Sequence, residues 1–75
     1  MEKFKAMSFC CGFTNVKMGK IQNELTDREI AKRWPNLHTD SFAQGMIDGL
    51  KNDRFRYNLC REEAGIEVVG ENNDE

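Results

Sequence analysis

Seventy-five residues, 39% of them apolar and 32% charged, make one small globular domain with little material to wall a substrate cleft. Three cysteines (Cys10, Cys11 and Cys60) are an odd number and two are adjacent, which argues against a disulfide-stapled secreted fold and for reduced thiols in a cytoplasmic protein. The net charge of −2 conceals a split, because all 11 bases and seven of the 13 acids fall in residues 1–61, whereas the six acids from Glu62 onward have no base among them.

Residues 3–13 combine aromatics and thiols without a helix cap, and they read as a short strand or an extended arm laid on the core. Their apolar stretch is too short, and too interrupted by Ser8 and Gly12, for a signal peptide. No run approaches the roughly 18 apolar residues of a membrane span. Val16, Met18, Ile21 and Leu25 allow a turn or two of helix after Thr14, weakened by Gly19.

The strongest local signal follows. Thr26 and Glu29 form a capping box, with Leu25 and Ile30 at the two hydrophobic-staple positions, so a helix starts at Asp27. Pro35 disfavours helical geometry at the residue before it and ends the helix near Trp34. After a turn through His38, either Thr39 or Asp40 can cap the next helix. There Phe42, Ala43, Met46, Ile47 and Leu50 share one face. Gly45 and Gly49, four residues apart, form a ridge that either lets another backbone approach closely or marks a frayed end.

Asn52 or Asp53 can cap a last helix over residues 54–63, with Phe55 and Leu59 inward and Arg54, Tyr57, Asn58 and Arg61 outward. Gly65 suits a left-handed stop and Ile66 the hydrophobic contact that accompanies one. Residues 66–69 read as a short strand able to pair with the N-terminal segment, and residues 70–75 as a disordered acidic tail. The fold class is therefore mainly α: one domain over residues 1–69, a bundle of three to four short helices, with a two-stranded ribbon as an optional addition. Trp34, Phe42, Met46, Leu50, Phe55 and Leu59 are its expected core.

Chemistry is harder to assign. Cys10, Cys11, His38 and Cys60 are metal-binding residue types, but they lack the paired spacing of structural zinc sites, so no metal or cofactor is expected. A cysteine nucleophile with His38 as base lacks an orienting acid and an oxyanion loop, and no catalytic residues are assigned. The helix pair around Pro35 outlines a helix-turn-helix. Its second helix, however, would present Asp40, Ser41, Gln44, Asp48 and Lys51, a poor set for a groove lined by phosphates.

The segment 54–61 is the better binding candidate, since it interleaves bases with aromatics. A partner-binding face of Arg54, Arg56, Tyr57 and Arg61 resembles an interface hot spot in composition. The resulting expectation is a small, non-enzymatic regulatory protein that binds a protein partner, of the size of phage and plasmid accessory regulators. A nucleic-acid-binding regulator using the same basic helix is the alternative. A homodimer through the Gly45 and Gly49 face is a further expectation, and no membrane partner is foreseen.

Overall fold

The computed structural model describes residues 2–65. They form four helices: α1 (Lys3–Lys17), α2 (Asp27–Arg33), α3 (Thr39–Leu50) and α4 (Phe55–Ala64). The mainly helical bundle is thus observed, and no strand occurs among the described residues. The C-terminal half of the expected ribbon and the acidic tail lie outside them.

The N-terminal segment corrects the reading as a strand or arm. It is the longest helix, and α3 and α4 cover it on two sides. A helix buried on two faces shows no single apolar stripe, which is why its periodicity is weak. Glu2 supplies no side-chain cap. Ser8 and Gly12, which interrupt the apolar run, are packing devices. The Ser8 hydroxyl donates to the Phe4 carbonyl at 3.0 Å and accepts the His38 N–H at 2.8 Å.

Gly12 and Gly45 set the spacing of α1 and α3. A Cβ on Gly45 would overlap the Phe9 carbonyl oxygen, and one on Gly12 would overlap that of Phe42. The approach is reciprocal, glycine of each helix against backbone of the other, a geometry suited to Cα–H···O contacts. Gly49 is less crowded, with the Val16 Cβ 3.0 Å from where its own Cβ would be. The glycine ridge is therefore filled by α1 of the same chain. Gly45 and Gly49, the expected homodimer face, are buried against it.

Both helices end in Schellman stops. In α1, Gly19 takes φ +78°, and the N–H groups of Lys20 and Gly19 reach back to the carbonyls of Asn15 and Val16 at 2.9 and 3.0 Å. In α3, Asn52 takes the left-handed position at φ 61°, with Asp53 bonded to Asp48 and Asn52 to Gly49 at 2.9 and 3.1 Å. Lys17 Nζ donates to Asn52 Oδ1 at 2.6 Å and ties the two stops together. Since Ser8 meets His38 at the other end, α1 and α3 run in the same direction.

The helix α2 matches its reading closely. Thr26 Oγ1 accepts from the Glu29 N–H at 3.2 Å, and Glu29 Oε1 accepts from the Thr26 N–H at 2.9 Å. The bonds from Thr26 hold the Glu29 carboxyl below its ordinary value. Trp34 is the C-cap, its ring 4.5 Å from that of Phe42. The α3 cap differs: it is His38, whose Nδ1 accepts from the Ser41 N–H at 3.2 Å, and not Thr39 or Asp40. Ile21, Ile30, Phe42 and Met46 form the buried cluster between α2, α3 and the loop after α1, with Leu25 and Trp34 packed at its edge.

Replacing Gly45 with alanine tests the α1–α3 approach. Helix propensity alone would favour the change by about 1 kcal/mol. The overlap with a backbone atom should outweigh it, so Gly45→Ala is expected to lower the melting temperature, and by more than Gly49→Ala does. A thermal melt of both variants measures the order.

Candidate interaction surface

The site begins with the turn between α3 and α4. Asp53 Oδ1 accepts the Phe55 N–H at 3.1 Å, but the N-cap of α4 is Arg54, without a side-chain cap bond, and not Asn52 or Asp53. Gly65 ends it at φ +63°, its N–H bonded to the Arg61 carbonyl at 3.1 Å. Any contact from Ile66 lies outside the described residues.

Between these ends, α4 is rotated relative to its reading. Tyr57, expected on the outer face, is fully buried and stacks on Phe13, with ring centroids 4.2 Å apart and planes 17° apart. Cys60 and Ala64, three and seven residues on, continue the same face against Ala6, Phe9, Cys10 and Phe13. Two small residues beside one aromatic let α4 lie close on α1. Phe55 and Leu59, expected in the core, are 74% and 48% exposed, and Leu50 is also exposed. The core expectation therefore holds for Phe42 and Met46, in part for Trp34, and not for Leu50, Phe55 or Leu59.

The arginines lean back toward the body of the protein. The Arg54 guanidinium lies 5.4 Å from the ring centroids of both Phe13 and Tyr57, and that of Arg56 lies 6.0 Å from Phe9. Arg56 Nε is also 3.1 Å from Oδ2 of Asp48, whose side chain is 3% exposed. Gln44 Nε2 donates to the other oxygen, Oδ1, at 3.0 Å. Oδ2 has the ion pair but no aligned hydrogen bond. Asp48 is thus a buried carboxylate neutralised across the α3–α4 joint, which burial alone would make costly. Asp48 and Ser41, placed on an outer recognition face by the helix-turn-helix outline, are both buried.

The four proposed partner-binding residues therefore do not share one surface. Arg54 and Arg56 are exposed and flank α4, Arg61 is half-buried, and Tyr57 is interior. The outward face is built instead from Phe55, Asn58, Leu59 and Glu62, with Glu63 at its edge. Sequence reasoning missed this face. The available signal was the spacing of Tyr57, Cys60 and Ala64, which is as helical as that of Phe55 and Leu59.

The thiols and His38 are dispersed. Cys10 and Cys60 belong to the α1–α4 cluster, Cys11 packs on the opposite cluster, and His38 has Nδ1 engaged in its cap. Among the described residues, no group of three or more potential ligands could hold a metal ion. Burial pushes the Cys60 thiol up, helped by the nearby Glu63 charge, and burial alone does the same for Cys11. Both shifts favour the neutral thiol, a poor nucleophile. Also among the described residues, no helix is long and apolar enough to cross a membrane.

The chain matches no protein-family model, no curated protein and no solved structure. The geometry of α4 alone carries the functional argument.

Two measurements check this geometry. Tyr57→Ala should lose about 3–5 kcal/mol in urea unfolding, whereas Phe55→Ala should change stability by no more than about 0.5 kcal/mol, as a surface substitution does. Thiol alkylation of the folded protein near neutral pH should label Cys11 slowly and leave Cys10 and Cys60 unmodified until denaturant is added.

Proposed function

We propose that this chain is a small non-enzymatic regulatory protein that acts by binding a protein partner through the outer face of α4. The carrying observation is Phe55, 74% exposed, with Leu59 one turn away and 48% exposed on the same side. Two large apolar side chains exposed one turn apart on one helix face are the candidate anchor of an interface. Asn58, Glu62 and Glu63 supply a polar rim around it.

A protein partner fits this face better than a polyanion. Its centre is apolar, its C-terminal end is acidic, and the nearest arginines are drawn toward Asp48 and the aromatic rings of α1. A phosphate-binding surface would instead hold its guanidinium groups forward.

The double variant Phe55→Asp/Leu59→Asp tests the reading. Both positions are exposed, so circular dichroism should show an unchanged fold. A nuclease-treated pull-down should lose whatever wild type captures specifically, whereas Arg61→Glu should retain most of it. Undiminished capture by the double variant would remove the α4 face from consideration.

A further inference from the structure

We infer that His38 is a proton-sensitive fastener: its neutral imidazole holds the first turn of α3 closed, and the turn opens when the ring takes up a proton. This device sits at the opposite end of α3 from Phe55 and is independent of what binds the α4 face.

The inference starts from one bond. Nδ1 of His38 accepts the Ser41 N–H at 3.2 Å, so it offers a lone pair and carries no hydrogen. In a neutral imidazole one nitrogen donates and the other accepts, whereas in the charged ring both donate. A proton on Nδ1 therefore sets two donors face to face, and the ring has to leave the Ser41 amide. Its charge would also stand at the positive end of the α3 dipole. Thr39 and Asp40, the residues the sequence favoured as caps, lie inside the helix and do not hold this amide.

The surroundings leave that bond in control. From α1, the Phe4 ring lies 6.4 Å from the imidazole in a T-shaped contact, and the Ser8 hydroxyl accepts the His38 backbone N–H at 2.8 Å. Both groups are uncharged. The charged residues at this end of α1 are Glu2, Lys3 and Lys5, with Glu2 and Lys5 3.9 Å apart. Lys32 and Arg33 close α2, and Asp40 stands exposed in the first turn of α3. His38 is itself half-buried, so protons reach the ring.

The sign follows from where the bond exists. Only the folded chain uses Nδ1 as an acceptor, so folding favours the neutral ring. The cap's contribution is present at neutral pH and is lost as pH falls through the range in which histidine titrates. Opening frees the Ser41 amide and loosens the segment that seats Trp34 and Leu37 on the second cluster, while Ser8 still holds the backbone. His38 is the chain's one histidine, so its titration stands apart from those of the carboxylates below and the thiols above.

Urea unfolding of the full chain between about pH 7.5 and 5 tests the device, with His38→Asn as the reference. Asparagine caps a helix as well and does not titrate. The unfolding equilibrium constant of wild type should rise about three- to five-fold more than that of the variant over this range, the worth of a cap. Two measurements need wild type alone. Ring nitrogen shifts near neutral pH should show the hydrogen on Nε2, and the exchange protection factor of the Ser41 amide should fall with acidification. Equal pH slopes for the two proteins overturn the inference, as does a hydrogen on Nδ1 near neutral pH or a Ser41 protection factor that acid leaves unchanged.

Discussion

The backbones of α1 and α3 touch at Gly45 and Gly12, and the positions of the other elements follow from that approach. Each glycine receives the carbonyl of the other helix where any side chain would collide with it. The two helices are thereby brought into parallel contact along most of their length and pinned at both ends. Ser8 bonds to the His38 backbone at one end, and Lys17 to Asn52 at the other. A glycine costs a helix roughly 1 kcal/mol in propensity, and Gly12 and Gly45 hold a contact that alanine would not permit.

With α1 and α3 fixed, α4 has one place to go. It must cover the aromatic side of α1, and only its Tyr57, Cys60 and Ala64 face is shaped to do so. Stacking Tyr57 on Phe13 turns the opposite side outward, and that side holds Phe55 and Leu59. The buried Asp48 acts on the same joint, because its charge is tolerable only while Arg56 stays beside it. The exposed apolar pair is thus imposed by the interior. Its orientation is set by the buried Tyr57–Phe13 stack and by an ion pair between the exposed Arg56 and the buried Asp48.

Local chemistry was legible in the sequence, and mutual chemistry was not. Thr26 and Glu29 specify their capping box within four residues, and Pro35 stops α2 within two, so that helix could be read unaided. The glycine ridge could be read as a close approach, but its partner could not, because nothing in residues 39–50 says that residues 3–17 are helical. The helix α1 is covered on two sides and shows no stripe. His38 as a cap went unread because imidazole is an uncommon acceptor in that role. For α4 the pattern offered two faces of comparable apolarity. The choice between them belongs to Phe13, a residue on another helix, and reading α4 alone put Tyr57 outside and Leu59 inside.

The pairing of the first helix with the third has a kinetic side. The bonds that pin α1 join residues 30 and 35 positions apart, Ser8 to His38 and Lys17 to Asn52. Bundles that fold fastest are built from neighbouring helices, whereas contacts this remote must wait for a long loop to close. Alone, α1 has no side-chain cap and has apolar residues on several sides, so it gains little from forming early. The capped α2 and the turn into α3 are the segments able to form first and offer a template. Docking α1 therefore carries a loop-closure cost that the capped α2 does not, and it is α1 docking that removes Phe9, Cys10 and Phe13 from water.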